Sequence, residues 1–330
     1  MVLFGDDERS GGGSDVGTHA DAADTLDPQV QAVVDEVDEL GIPEWSALGV
    51  ESARRLEDEL FAPVDVPDVA RITNIEIPGP AGSIPLRVYH PDPGETLSTL
   101  VFFHGGLWAM GTLDSIDGVC RRLALRTGHV VVSVEYRLAP EHPFPAALED
   151  CVHATEWVED NATSIGADPE RLAVAGTSAG GNLAAATCLH VREFGGPDIE
   201  MQVLLYPMTD LSDDHPSLSE NADGPLLTRR DVLWAHETYL RSRVDRYNPF
   251  AAPLRADSHA NLPPAYVVTA GFDPLRDEGG AYASALESAG VTVVHDHEPA
   301  MPHGFLSLTA DVDAADAALD RVAVAVTNRG

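Results

Sequence analysis

The chain has 330 residues, with 54 acidic side chains against 20 basic ones and a formal net charge of −34. Such a surface repels nucleic acids and anionic membranes, so we expect neither as a partner. The length suits one α/β domain with insertions, and no apolar run is long enough to cross a bilayer.

The excess of acid has two explanations. All 20 basic residues are arginine, and the chain contains no lysine. A GC-rich genome would favour arginine codons and would explain the missing lysine, but it does not explain the acidic residues. A salt-filled cytoplasm would explain the acidic residues, because the Debye length falls to about 3 Å at 1 M salt and repulsion between carboxylates is screened. We therefore favour adaptation to high salt.

The N-terminal region is predicted in two parts. Residues 1–24 have little apolar content and predict a disordered acidic tail. This start has neither a basic nor an apolar signal region, so we expect a cytoplasmic protein. Residues 25–62 predict two amphipathic helices, one from Pro28 to Leu40 and one from Val50 to Leu60. Because both precede any strand, they predict part of a helical cap; the alternative is a helical pair packed on the core.

Residues 63–330 predict the main domain, in which strands alternate with helices. This alternation is typical of a mostly parallel sheet with helices on both faces. Residues 208–262 break the rhythm with clusters of Asp, Ser, Pro and Asn, and predict a second piece of cap inserted between strands. The predicted strands are 71–77, 84–89, 99–103, 129–134, 171–175, 201–206, 265–270 and 291–295. The predicted helices of this domain are 117–127, 146–163, 182–193, 228–241, 277–289 and 311–326.

The three cysteines predict neither a disulfide framework nor a zinc site. They are scattered, odd in number and form no C-x-x-C pair: Cys120, Cys151 and Cys188. We expect them to pack as small apolar side chains.

A G-x-S-x-G motif stands between a predicted strand and a predicted helix, at Gly176-Thr177-Ser178-Ala179-Gly180. This arrangement is typical of the nucleophile elbow of an α/β-hydrolase, in which flanking glycines permit a tight turn. An isolated match arises by chance in roughly one chain in eight of this composition, so the rest of the chain has to support it.

Further candidate groups follow other predicted strands. They are His104 to Leu107, Asp273 and His303. Catalytic groups in such sheets lie beyond the carboxyl ends of the strands. The chain order Ser, Asp, His is the α/β-hydrolase order, and a histidine can take the proton of an attacking serine while a carboxylate orients the imidazole.

Several motifs together resemble the hormone-sensitive-lipase family of serine esterases, from about Leu26 to the end of the chain. The motifs, in matching order and spacing, are His104-Gly-Gly-Leu107 with Trp108, Tyr136-Arg-Leu-Ala-Pro-Glu-His-Pro-Phe-Pro145, Gly176-Thr-Ser-Ala-Gly-Gly181, Asp273-Pro-Leu-Arg-Asp-Glu-Gly279 and His303-Gly-Phe305. The resemblance implies an α/β-hydrolase core with a helical cap. It also implies hydrolysis of small carboxylic esters without a metal or an organic cofactor.

The resemblance assigns the catalytic roles by position. Ser178 would be the nucleophile, Asp273 the orienting carboxylate and His303 the general base. Asp277 is the rival acid, and the family pattern favours the first aspartate of the stretch.

The resemblance also assigns an oxyanion hole. Its donors would be the backbone N–H groups of Gly106, Leu107 and Ala179. His104 and Gly105 complete the motif, and we expect His104 to shape the loop by hydrogen bonding rather than to transfer protons. The family usually has a third glycine where this chain has Leu107. Either the loop keeps a strained positive φ there, or it relaxes and the N–H turns away from the oxyanion.

The consequence we expect from Leu107 is weak activity confined to short acyl chains, with Leu107→Gly raising kcat and extending the accepted acyl length. Trp108, Tyr206 and Phe305 are candidates for the acyl pocket, and simple core packing is an equal alternative for each.

The predicted function is therefore a short-chain serine carboxylesterase adapted to high salt. The alternatives are a formamidase or thioesterase on the same triad, and a catalytically weak or inactive ligand-binding protein of the same fold. The complete set of Ser, Asp and His argues against the inactive protein. A homodimer is left open.

Overall fold

A single eight-stranded sheet organises the protein in the computed structural model, which describes residues 22–62 and 66–328. The strand order is β1-β2-β4-β3-β5-β6-β7-β8; β2 pairs antiparallel with β1 and β4, and the other pairs are parallel. The mostly parallel sheet flanked by helices confirms the predicted fold class. The strands are β1 Arg71–Gly79, β2 Gly82–His90, β3 Leu97–Phe103, β4 Val130–Val134, β5 Ala167–Thr177, β6 Ile199–Leu205, β7 Ala265–Phe272 and β8 Val293–Pro302.

The central strands carry long apolar runs where helices cover both of their faces. In β3, Val101 and Phe103 belong to one hydrophobic cluster, whereas Leu100 and Phe102 belong to the other. Alternate residues of a strand point to opposite faces, so the two clusters are the two sides of the sheet.

The helices divide between these two faces. Buried residues of α1, α3 and α9 join one cluster, and those of α2, α4, α5, α7 and α8 join the other. The α-helices are α1 Pro28–Leu40, α2 Val50–Leu60, α3 Asp117–Thr127, α4 Ala146–Ile165, α5 Ala179–Phe194, α6 Pro216–Glu220, α7 Arg229–Tyr239, α8 Arg276–Ser288 and α9 Asp313–Thr327. None of the helices in the described ranges combines the length and apolar character needed to span a membrane.

The two segments predicted as cap contact each other. The Ser46 N–H donates to Asp231 of α7 at 2.7 Å, and the Trp45 indole N–H donates to the Leu226 carbonyl at 3.4 Å. Most of the predicted acidic tail lies outside the described residues, but Ala23 donates its N–H to the Pro299 carbonyl at 2.8 Å. The cap and the domain boundaries remain predictions, and these contacts agree with a cap built from both segments.

The three cysteines are free and buried on three different helices, α3, α4 and α5. Burial raises the pKa of all three thiols, which keeps them protonated and unreactive.

Candidate active site

Ser178 occupies a sharp turn between β5 and α5, with φ 55° and ψ −117°. A non-glycine residue reaches this region only where the surroundings enforce it. Two glycines permit the close approach: a Cβ at Gly176 would overlap the Gly180 carbonyl, and a Cβ at Gly180 would overlap the carbonyls of Phe103 and His104. The turn therefore holds the serine at the carboxyl end of β5, with the first turn of α5 packed against the end of β3.

Ser178, His303 and Asp273 form a continuous hydrogen-bonded chain. His303 Nε2 lies 2.9 Å from Ser178 Oγ, and His303 Nδ1 lies 2.8 Å from Asp273 Oδ2. A carboxylate only accepts, so Nδ1 carries the proton and Nε2 is left to accept the serine hydroxyl proton. The residues come from the ends of β5, β7 and β8, which explains how positions up to 125 residues apart meet.

The carboxylate hydrogen-bonded to His303 is that of Asp273 rather than that of Asp277. Asp273 is fully buried, and its Oδ1 accepts the Leu275 N–H at 2.8 Å. Asp277 turns instead to the segment after β6, where it accepts the Ser217 N–H at 2.7 Å, and to the Arg276 guanidinium at 2.9 Å. Both of its oxygens are thus used away from His303.

The predicted oxyanion donors lie on the loop after β3 and at the start of α5. A Cβ built on Gly105 would lie 3.4 Å from Ser178 Cβ, so this loop packs against the serine. Among the described residues no hydrogen bond uses the N–H groups of Gly106, Leu107 or Ala179, which leaves them free to bind an oxyanion.

Leu107 keeps the glycine-like backbone that the sequence left open, with φ 57°. Of the two alternatives, the structure has the strained loop and not the relaxed one. The leucine side chain is 4 % exposed and belongs to the hydrophobic cluster on the α4–α5 side of the sheet.

His104 makes its hydrogen bonds and its ring contact with the loop and with Tyr136. Its Nδ1 donates to the Gly105 carbonyl at 2.7 Å, its ring stacks on Tyr136 at 4.2 Å, and the Tyr136 hydroxyl donates to the His104 carbonyl at 2.8 Å. Burial lowers the pKa of His104 to about 4, so the ring is neutral near pH 7. It touches none of the three residues of the Ser–His–Asp chain through a hydrogen bond in the described part of the protein.

The three candidate pocket residues have different surroundings. Trp108 is fully buried and stacks on Tyr239 at 4.1 Å, and Phe305 is also fully buried. Both positions fit core packing, which was the alternative for them. Tyr206 has a ring centroid 5.0 Å from that of His303, and it alone of the three has its ring packed on His303.

Two buried carboxyls outside the Ser–His–Asp chain were missed by sequence reasoning. Glu278 is buried and accepts the Thr209 N–H at 2.6 Å, and burial raises its pKa well above the usual range. Glu57 of α2 is 8 % exposed, and burial together with Asp58 and Glu135 raises its pKa to about 7, although the Ser115 hydroxyl and the Gly111 N–H oppose the shift. Glu278 lies within the Asp273–Gly279 motif, where the resemblance gave this residue no role, and Glu57 stands in an ordinary acidic stretch that no sequence pattern marks. The described residues contain no cluster of His, Cys, Asp and Glu arranged to hold a metal ion.

Comparisons with known proteins agree with this geometry. Residues 100–307 match a family described as having the alpha/beta hydrolase fold. Esterase LipI of Mycobacterium tuberculosis is 43 % identical over 314 residues, covering 93 % of this chain and 96 % of the relative. The ethyl acetate hydrolase of Pseudomonas putida is 36 % identical, covering 85 % of this chain and 90 % of the relative.

A solved structure is similar over almost the whole chain. The ester hydrolase EH1AB1 from the metagenome of Lake Arreo, in complex with a bipyridine phosphonate derivative, has a TM-score of 0.88 and 38 % identity. The match covers 92 % of this chain and 98 % of that one.

Proposed function

Because this chain belongs to the hormone-sensitive-lipase family of carboxylesterases, within the α/β-hydrolase superfamily, we propose that it hydrolyses short-chain carboxylic esters through an acyl-enzyme on Ser178. The observation that carries the proposal is the unbroken chain of hydrogen bonds from Ser178 Oγ through His303 to Asp273. Ester hydrolysis is the reaction class of its relatives; the roles of individual residues are the proposal.

In the first half of the reaction, Ser178 Oγ attacks the ester carbonyl carbon while His303 Nε2 takes the hydroxyl proton. Asp273 stabilises the imidazolium that forms and keeps Nδ1 protonated. The carbonyl oxygen becomes an oxyanion held by the N–H groups of Gly106, Leu107 and Ala179. Collapse of this intermediate breaks the bond to the alkoxy oxygen, which leaves as the alcohol with the proton from His303.

In the second half, water replaces the alcohol. His303 Nε2 takes a proton from the water as its oxygen attacks the acyl carbon. The same N–H groups hold the second oxyanion, and its collapse releases the carboxylic acid as Ser178 regains its proton. No step requires a metal or an organic cofactor.

The preference for short acyl chains is supported by the close packing around the serine. Ser178 is 5 % exposed, and Leu107 adds an isobutyl group to a loop that contacts it. A relative named ethyl acetate hydrolase is consistent with a small substrate.

Adaptation to high salt is the second part of the proposal. The chain carries 54 carboxylates and 20 arginines, so most carboxylates have no cation to pair with. The unpaired carboxylates repel one another, and at molar salt this repulsion is screened within a few ångströms.

The test combines a substrate series with labelling of the serine. In molar KCl, the wild-type protein should hydrolyse p-nitrophenyl acetate and butyrate and fall off towards laurate. A fluorophosphonate should label Ser178 stoichiometrically. Ser178→Ala and His303→Ala should each lower kcat by several orders of magnitude while the melting temperature stays that of the wild type. Ser164→Ala, at an exposed serine of α4, is the matched control and should keep the wild-type kcat. Label on another residue, or an active Ser178→Ala variant, would refute the assignment.

A further inference from the structure

The loop that carries the proposed oxyanion donors has positive φ at three successive residues, two of which are not glycine. Gly106, Leu107 and Trp108 have φ values of 110°, 57° and 56°. Positive φ is unfavourable for leucine and tryptophan, and such conformations persist only where neighbouring groups fix them from several sides.

Backbone hydrogen bonds within the loop, and one to the segment after β4, fix part of this conformation. The N–H groups of Ala109 and Met110 both donate to the Gly106 carbonyl, at 3.0 and 2.8 Å, which closes a tight turn. Trp108 accepts a hydrogen bond from the Ala139 N–H at 2.8 Å, which ties the turn to the segment after β4. The carbonyl oxygens of Ala109 and Ala139 accept instead from a side chain of α2.

Arg54 of α2 joins these two carbonyls. Its Nε donates to the Ala109 carbonyl at 2.8 Å, and its Nη2 donates to the Ala139 carbonyl at 3.0 Å. The guanidinium is itself held by Glu141, whose two carboxylate oxygens accept from Nη1 at 2.9 Å and from Nη2 at 2.7 Å. A planar guanidinium can make this four-bond arrangement, whereas a lysine ammonium has only three donors at one point.

We propose that Arg54 is a positioning residue for ester hydrolysis: it fixes the strained loop so that the Gly106 and Leu107 N–H groups point at the oxyanion. The N-terminal helix pair would then contribute to the chemical step without touching the substrate. The inference rests on the proposed oxyanion hole.

Loss of Arg54 should weaken stabilisation of the transition state and leave binding of the substrate unchanged. Removing a whole oxyanion donor lowers kcat by 10²–10³-fold in other serine hydrolases, so a displaced loop should cost roughly 10–100-fold. Arg54→Ala should therefore lower kcat by about that factor with KM within about twofold. A trifluoromethyl ketone, whose adduct with Ser178 places an oxyanion in the hole, should lose affinity by the same factor.

Two further variants make the test specific. Arg54→Lys, which can reach one carbonyl but not both, should recover part of kcat. Arg55→Ala is the matched control, because Arg55 is the next residue of the same helix, is exposed, and is hydrogen-bonded to Ser52 rather than to the loop. All variants are compared by thermal melting at the same salt concentration.

Wild-type kcat in Arg54→Ala would overturn the proposal, as would a rise in KM at constant kcat or an equal loss in Arg55→Ala. If Arg54→Ala does not fold, Arg54→Lys alone decides: a reduced kcat at unchanged KM supports the proposal, and wild-type kcat overturns it. Failure of the proposed function would look different, because wild-type Ser178 would then take no phosphonate.

Discussion

Leu107→Gly separates two effects that the structure places on one residue. At φ 57° the leucine backbone is strained by roughly 1–2 kcal/mol, and glycine would relieve that strain. The side chain is also 4 % exposed within a hydrophobic cluster. Truncating a buried leucine costs about 2.7–5 kcal/mol in measured cases. The difference predicts a net loss of about 1–4 kcal/mol in the free energy of unfolding.

The same variant should change the acyl-length preference more than the rate. Strain that is present in both the free enzyme and the transition state does not alter kcat. The structure already has the strained loop with its N–H unused, so the kcat gain expected from the sequence loses its basis. Room for one more methylene is worth about 1–3 kcal/mol, so kcat/KM for hexanoate relative to acetate should rise by about tenfold or more.

The assay is urea unfolding together with kcat/KM on the p-nitrophenyl series, both in molar KCl. Leu226→Gly is a matched control, because Leu226 also has a positive φ, 67°, but is only half-buried in the inserted segment. It should be close to neutral in stability and leave the substrate profile unchanged. A Leu107→Gly variant that is as stable as the wild type and has the same acyl profile would contradict both predictions.

Two predictions concern the ionic state of the protein. The melting temperature should rise from low salt to molar KCl, because screening reduces repulsion among the 54 carboxylates; a flat or falling curve would contradict the proposed salt adaptation. Burial raises the pKa of Glu57 from 4.5 to about 7, so the folded state binds the proton of this carboxyl more tightly than the unfolded state does. Its contribution to the free energy of unfolding is therefore fully present below pH 4.5 and is lost as the pH rises through 7. Glu57→Gln should remove that loss and raise the free energy of unfolding by up to about 3 kcal/mol at pH 8, with no gain at pH 4. The exposed Glu59→Gln is its control, and an equal gain at both pH values would contradict the assignment.

The fold and the Ser–His–Asp chain could be predicted from sequence because each rests on a local signal. The apolar runs and their caps predicted most elements to within a few residues, and the motif order predicted which strand ends meet. Strand β8 was predicted to end at His295 but continues to Pro302, because its polar middle, His295 to Glu298, pairs with β7 along the sheet edge. An edge strand carries charged side chains that hide the apolar pattern.

Long-range contacts could not be predicted. Arg54 meets carbonyls 55 and 85 residues further along the chain, and nothing in the local sequence of α2 distinguishes it from Arg55. Trp108 illustrates a second limit: a large aromatic beside a catalytic motif suits a pocket wall and a core equally, and its stacking on Tyr239 is a long-range contact that no local pattern shows.

The three buried thiols give the protein built-in reporters of local opening. Cys120 lies in the cluster with α9, whereas Cys151 and Cys188 lie in the cluster on the other side of the sheet. A thiol reagent reaches each one only when its helix lifts from the sheet, so pulsed labelling followed by mass spectrometry measures the two layers separately. On dilution from molar salt, the order in which these cysteines react would show which helical layer opens first as repulsion between the surface carboxylates increases.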